Sequence, residues 1–349
     1  KERGKKCEKT VKKAQKTVKN RDKNGKKTYK KRSGFLGRER RMYRIGIDLG
    51  GTHIGAGLVE NGVLKAKKYV DTPSDREFHA TVKVMAEAIY ALLAENCIEL
   101  SQCEAIGIGS PGVADEKTGN IVYSANFDWH DMPLRRELHS LVPLPIAIAN
   151  DADAAGWAEY VAGAGKGSQS CVTITLGTGV GGGIVLNGKL FSGGMAGGGE
   201  LGHVTLVAEG RLCGCGKKGC AEAYTSATAI IKRAQELLGS YPDSSLAKIE
   251  SINAKAVVDA ARQGDKLGCF VFEEYVNYLA HLLASIINLL APQVIALGGG
   301  VAGAGDFLLE PLCRRVDELV LNKALPRARI TLATMGSDAG IVGAAMLEG

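Results

Sequence analysis

An α/β fold of two similar domains is what the sequence predicts, and three observations carry that prediction. From Met42 onward, strand-like and helix-like segments alternate, the pattern of sheets flanked by helices. A glycine-rich hairpin occurs twice, offset by 126 residues. The chain has 349 residues, a length that suits two domains and buries a core without help from disulfides.

The elements follow in order. Tyr43–Asp48, Gly55–Glu60 and Val63–Val70 are apolar and rich in β-branched residues, so they read as strands, with Asn61-Gly62 as the tight turn between the last two. A helix is expected over 79–97. Further strands are expected near 104–109, 145–149, 171–176, 181–187, 201–206, 293–298 and 328–332. Helices are expected near 151–162, 226–239, 254–263, 268–290, 306–321 and 338–347. Under the shift of 126, Gly51-Thr52 falls on Gly177-Thr178, Gly55 on Gly181, Gly57 on Gly183, Val59 on Val185, Asn61-Gly62 on Asn187-Gly188 and Leu64 on Leu190, without a gap. Two glycine-rich hairpins can resemble each other by chance. Duplication accounts better for the ungapped run, and it predicts two like domains around a cleft, each offering one hairpin loop, where small ligands usually bind. The expected limits are 42–149 for the first domain and 150–349 for a larger second one, whose last helix packs back on the first.

Charge divides the chain differently. Residues 1–41 hold 19 Lys/Arg and 4 Asp/Glu, and 42–349 hold 25 and 33. The formal net charge of +7 therefore belongs to the first segment. The remainder is mildly acidic and offers no footprint for nucleic acid. A segment so charged and so poor in apolar residues cannot offset its ordering entropy, so 1–41 is expected to be a disordered basic tail. Met42 reads as the natural start and the tail as a cloning or gene-boundary artefact; a genuine basic arm is the alternative. No run of 18 apolar residues and no secretory signal is visible, so no membrane partner is expected and the location is expected to be cytoplasmic. Nine cysteines, with Cys213, Cys215 and Cys220 crowded into eight residues, point to a reducing compartment and one metal site.

Four stretches carry chemistry. In Asp48-Leu49-Gly50-Gly51-Thr52 a strand end delivers a carboxylate to two glycines, whose backbone lets a phosphate approach closely. Thr52 adds a hydroxyl, and Asp48 suits a water of hydrated Mg²⁺. A plain hairpin with a structural Asp is the simpler reading of that loop alone. The second loop, with Gly177, Thr178 and Gly179, suits phosphates from the opposite side. In Ile148-Ala149-Asn150-Asp151 a carboxylate stands between a strand and a helix. It suits either a helix cap or a general base for a sugar hydroxyl, since phosphoryl transfer asks chiefly for positioning and one proton acceptor. Finally, His203 with Cys213, Cys215 and Cys220 makes a closed four-ligand set for Zn²⁺; with no open position the ion would be structural. There is no P-loop. The literal G-x-G-x-x-G over Gly107, Gly109 and Gly112 contains Pro111 and lacks the acidic residue that a dinucleotide site needs.

Asp48–Thr52, Glu200-Leu201-Gly202-His203 and Cys213-Gly-Cys215 through Cys220-x-Glu222, in that order, resemble the ROK family of repressors, open reading frames and sugar kinases. The resemblance covers essentially all of 43–349. It implies an actin-like ATPase (ribonuclease H-like) fold of two domains closing over sugar and ATP, with Mg²⁺ and a structural Zn²⁺. It implies Asp151 as the catalytic base and sugar contacts from Asn126, Asn150, Asp151, Glu200, His203 and Glu222, with the Ser110–Gly112 loop nearby. His203 would touch the metal through one nitrogen and the sugar through the other. Asp48, Gly50, Gly51, Thr52, Gly177, Thr178 and Gly179 fall on phosphate-binding positions, and Gly298-Gly299-Gly300 resembles the adenosine-side loop. A homodimer is implied. His53 and Asp153 depart from residues common in the family, which puts local contacts to Mg-ATP and to the helix in question.

The expected activity is that of a hexokinase-type phosphotransferase of glycolysis, converting ATP and glucose to ADP and glucose 6-phosphate. Asn126-Phe-Asp-Trp129 and Gly177–Gly183 resemble the glucose-phosphorylating Gram-positive members. Phosphorylation of N-acetylmannosamine or fructose is the alternative within the family. A DNA-binding repressor needs a winged helix-turn-helix ahead of this part, and 1–41 is too short and too polar to build one.

Overall fold

The computed structural model describes residues 42–194, 197–321 and 324–348. The expected disorder of 1–41 lies outside the described residues. The chain divides into two compact units. One comprises the chain up to Ala154 together with Gly340 onward; the other is Ala155–Ala339.

In the first unit, β1 (Tyr43–Leu49), β2 (His53–Glu60), β3 (Val63–Asp71), β4 (Cys103–Ser110) and β8 (Ile146–Asn150) form a sheet in the order β3-β2-β1-β4-β8. The first three strands are antiparallel neighbours, while β1, β4 and β8 run parallel. Ile45, Ile47, Ile106 and Ile108 are fully buried and meet the helix Phe78–Glu95 through Met85, Ile89 and Leu92. That helix starts where Glu77 accepts hydrogen bonds from the His79 and Ala80 N–H groups at 3.0 and 2.6 Å. The helix Ala339–Ala345 lies against the sheet along a glycine row: Gly57, Gly46 and Gly107 are neighbours across β2, β1 and β4. A Cβ on Gly46 would sit 1.9 Å from the Ile341 carbonyl, and one on Gly107 1.6 Å from the Ala344 carbonyl. Any side chain in that row would lift the helix off.

The second unit repeats this plan. Its sheet runs β11-β10-β9-β12-β13, built from β9 (Cys171–Leu176), β10 (Val180–Leu186), β11 (Lys189–Leu190), β12 (Val294–Gly298) and β13 (Arg329–Leu332). The orientations match strand for strand. Asn61 and Gly62 turn at φ 52° and 75°, and Asn187 and Gly188 at 51° and 75°. Gly183, the repeat partner of Gly57, again sits under a helix: a Cβ on Gly156 of the helix Asp151–Val161 would lie 2.6 Å from the Gly183 Cα. The 25-residue helix Lys266–Leu290 supplies much of the core through Val271, Leu279, Leu282 and Leu283.

One expectation fails, and one small sheet is unforeseen. The strand expected at 201–206 is absent: Leu201–His203 is a 3₁₀ turn, and Thr205 makes only an isolated bridge to Cys220. Gly202 presses on the Val180 carbonyl, where a Cβ would come within 2.1 Å, and the chain turns there instead of extending. The second surprise is a three-stranded antiparallel sheet, β5 (Val113–Asp115), β6 (Asn120–Ser124) and β7 (Trp129–Met132), followed by the helix Leu134–Leu141.

Candidate active site

The first unit gathers two carboxylates at the ends of its parallel strands. Asp48 is the penultimate residue of β1 and pairs in register with Gly109 of β4. A Cβ on Gly109 would lie 3.1 Å from that of Ala154 and 3.5 Å from the Asp151 Cα, so β4 runs close against the start of the helix that carries Asp151. Burial, and then the charge of Asp151, push the Asp48 carboxyl up to about 6. Burial also raises Asp151, opposed by the Ala152 N–H that its Oδ1 accepts at 2.9 Å.

The sequence leaves Asp151 open as a helix cap, but the structure gives most of that work to Asn150. Its Oδ1 accepts the N–H groups of Ala152 and Asp153 at 2.8 and 3.3 Å, and its Nδ2 donates to the Gly112 carbonyl at 2.9 Å. Asn150 thereby ties the helix start to the Ser110–Gly112 loop.

The Gly50–Thr52 loop is closed by the Gly50 N–H donating to the His53 carbonyl at 3.0 Å and by the Thr72 hydroxyl donating to the Gly50 carbonyl at 2.7 Å. His53 pairs with Asp71 across β2–β3 at 3.0 Å, an exposed contact. Arg76 belongs to no sequence motif. Its guanidinium donates to the Asn126 carbonyl and would lie 3.7 Å from a Cβ on Gly51, so one cation connects the glycine loop with the Asn126 turn. Its own carbonyl accepts the Trp129 indole N–H at 3.0 Å. The only sequence signal was its neighbourhood, a Pro73-Ser74-Asp75 turn of no specific meaning.

In the second unit the loop after β9 is held from beneath. Ala227 N–H donates to the Gly177 carbonyl at 2.8 Å, and the Thr228 hydroxyl to that of Thr178 at 2.7 Å. Glu222 Oε2 accepts the Val180 N–H at 3.0 Å, and Gly179 is glycine because a Cβ there would meet that oxygen at 2.4 Å. Glu222 Oε1 accepts from the Cys213 thiol at 3.3 Å. Glu222 therefore joins the glycine loop to the cysteine segment. Glu200 is exposed just ahead of the 3₁₀ turn, and its carbonyl accepts the His203 N–H at 3.0 Å.

The four proposed metal ligands come together. One donor atom from each of His203, Cys213, Cys215 and Cys220 lies within 4.8 Å of all the others. The Cys213 Sγ to His203 Nδ1 distance is 3.7 Å, and Cys215 Sγ to Cys220 Sγ is 3.6 Å. A tetrahedral zinc with Zn–S of about 2.3 Å needs neighbouring sulfurs about 3.8 Å apart, so the donor set and its spacing fit Zn²⁺. Nδ1 faces the cysteines, which leaves Nε2 as the nitrogen available to another partner.

Two of the hollows in this unit border its glycine loops. Gly298 and Gly299 line one of about 470 Å³, with Thr175, Ala302 and Ser337. Gly299 has φ +85° and no room for a side chain, the Leu176 carbonyl being 2.5 Å from its would-be Cβ. Thr178 and Gly179 border another of about 580 Å³, with Arg211, Glu222, Thr228 and Lys232.

Set against known proteins, the ROK family profile matches residues 44–348. The chain belongs to the ROK family. It is 38% identical to the glucokinase of Thermotoga maritima over 312 residues, 87% of this chain and 96% of the relative. It is 32% identical over 305 residues to an N-acetylmannosamine kinase of Haemophilus influenzae, covering 87% of this chain and 94% of that protein. Among solved structures, a ROK family glucokinase from Streptomyces griseus in complex with glucose and AMPPNP superposes with a TM-score of 0.71 at 34% identity, covering 87% of this chain and 98% of that one. The fold of this ROK protein is accordingly the actin-like ATPase fold of the family's sugar kinases. Among the described residues no helix is long and apolar enough to cross a membrane.

Proposed function

We propose that this ROK protein is a hexokinase-type phosphotransferase that moves the γ-phosphoryl group of ATP to the 6-hydroxyl of glucose. The observation that carries this reading is the pair of half-buried acids, Asp48 and Asp151, beside a glycine loop. Two carboxylates that burial holds above their ordinary range suit two tasks: one faces a hydrated cation, the other accepts a proton.

Asp151 takes the 6-hydroxyl proton, and its place at the helix start fixes the direction from which it does so. Asp48 is the group that would hold a water of Mg²⁺, whose charge would offset that of the transferring phosphoryl group. Gly50, Gly51, Thr52, Gly177, Thr178 and Gly179 form the phosphate loops; the N–H groups of Gly50 and Gly177 close them, and the remaining N–H groups and the two hydroxyls face the phosphates. Gly298 and Gly299 receive the nucleoside part. Asn126, Asn150, Glu200, His203 and Glu222 read the sugar hydroxyls. His203, Cys213, Cys215 and Cys220 would hold Zn²⁺ as a structural ion that fixes the segment carrying His203 and Glu222. Glucose is preferred over N-acetylmannosamine because the glucokinase relatives are the more similar, 38% against 32%.

A coupled assay of ATP consumption across glucose, N-acetylmannosamine, mannose and fructose tests the reading. Glucose-dependent ADP formation exceeding that with every other sugar supports it. ATP consumption with none of them would defeat the kinase assignment.

A further inference from the structure

Glu159 is a charged residue shut inside its unit, 1% exposed. It stands near the end of the helix Asp151–Val161. Four hydrogen bonds reach it, all from donors. Oε1 accepts the N–H groups of Thr334 and Met335 at 2.8 and 2.7 Å. Oε2 accepts the Ala164 N–H at 2.8 Å and the Thr334 hydroxyl at 3.3 Å. A carboxylate accepts on both oxygens; an amide in its place would turn an NH₂ toward a backbone N–H. The surrounding chain is shaped to this group, since a Cβ on Gly163 would meet Oε2 at 2.2 Å.

The backbone that Glu159 holds runs between residues that line a cavity, and Glu159 itself reaches that lining. Ala333, Gly336 and Ser337 line the 470 Å³ hollow together with Gly298 and Gly299. At one edge the two walls touch: Ala333 N–H donates to the Leu297 carbonyl at 2.8 Å, and a Cβ on Gly298 would lie 3.3 Å from that of Ala333. Beyond that edge, the place at which Glu159 pins Thr334 and Met335 sets how far the walls stand apart.

The geometry points to Glu159 as a positioning residue for the nucleotide. By fixing Thr334 and Met335 it holds the wall opposite Gly298 and Gly299 at the separation that admits the nucleoside part of ATP. This rests on the reading of Gly298 and Gly299 as nucleotide-binding, and the test separates the two.

ADP and glucose are titrated separately by calorimetry into the full chain and its variants. Gly303 lines the cavity, and a Cβ there meets nothing within 4 Å, so Gly303→Leu adds bulk from a position with room at its base. Both Gly303→Leu and Glu159→Gln are expected to weaken ADP binding by about tenfold or more while glucose binding stays within about twofold. Unchanged ADP binding in Gly303→Leu shows that the cavity takes no nucleotide, and the underlying reading falls together with this one. Loss of ADP in Gly303→Leu but not in Glu159→Gln overturns the role of Glu159 alone. Equal losses of ADP and glucose in Glu159→Gln also overturn it, because that is general loosening. If Glu159→Gln does not fold, Thr334→Val removes a single donor and is expected to weaken ADP about threefold with glucose unchanged; no change in ADP then overturns the proposal.

Discussion

Burial raises the carboxyls of both Asp48 and Asp151, and the charge of Asp151 adds to the rise of Asp48. Gly109, in register with Asp48, lies beside the start of the helix that carries Asp151, its would-be Cβ 3.1 Å from Ala154 and 3.5 Å from the Asp151 Cα. A fold selected for stability alone has no use for such a pair. Its cost is therefore a property that substitution should reveal.

Asp48→Asn should stabilise the protein at neutral and alkaline pH. A carboxyl raised to about 6 binds its proton more tightly in the folded chain than in the unfolded one, where 3.8 applies. Its contribution to stability is full below pH about 4 and is lost as pH rises through about 6. Asparagine escapes that loss, so the variant should gain on the wild type between pH about 4 and 7, with a ceiling on the order of 3 kcal/mol. Melting curves across that range decide the point. A gap between variant and wild type that does not change with pH would mean that the Asp48 charge is not under strain. The same variant should lose most of its activity at every pH.

Asp151→Asn should keep glucose affinity within a few-fold and lose about 10²- to 10⁴-fold in kcat, the usual contribution of a general base. The Asn150 cap remains in place, so the helix start does not depend on the substituted group. A variant within about threefold of wild type in kcat would remove Asp151 from the role, since that corresponds to roughly 0.7 kcal/mol of barrier.

Metal analysis of the purified chain should find about one Zn²⁺ per protein. Cys215 is the most informative ligand to replace because it is exposed, so Cys215→Ser leaves no buried cavity behind. The variant should lose metal and melt lower, a loss of about 2 kcal/mol corresponding to about 4–8 °C. It should also bind sugar more weakly, since the segment includes His203 and Glu222. Full zinc content in Cys215→Ser would take that cysteine out of the ligand set.

Much of this was legible in the sequence because single residue types had single causes. Gly57 and Gly183 align in the repeat because each lies beneath a helix, and Asn61-Gly62 and Asn187-Gly188 align because both turns need left-handed backbone. The metal ligands were legible because three thiols crowd into one loop. What escaped was set by tertiary contact. Val204 and Leu206 alternate as in a strand, yet the approach of Gly202 to Val180 forces a turn, and Val204 ends 46% exposed. The strands of the small sheet are three to five residues long, too short to show a period. Arg76 and Glu159 carry no motif at all; their partners, Asn126 in one case and Thr334 and Met335 in the other, are remote in sequence.

Glu222→Ala should separate sugar reading from chemistry. Its carboxylate accepts the Val180 N–H, so it has a part in the shape of the glycine loop besides its proposed contact with the sugar. Truncation removes both: KM for glucose should rise strongly, and KM for ATP should rise by a smaller factor as the loop loosens. Asp151→Asn should instead act on kcat, because it removes an interaction made only as the proton moves. A site that reads hydroxyls with carboxylates rejects analogues that leave those groups unpaired. Wild type should therefore prefer glucose over N-acetylmannosamine by at least about tenfold in kcat/KM, or about 1.4 kcal/mol, and Glu222→Ala should narrow that margin. Steady-state kinetics with both sugars, at saturating and limiting ATP, measure all of these quantities. If N-acetylmannosamine is the better substrate of the wild type, the phosphotransferase reading stands and the choice of glucose does not. If Glu222→Ala changes kcat alone, Glu222 does not read the sugar.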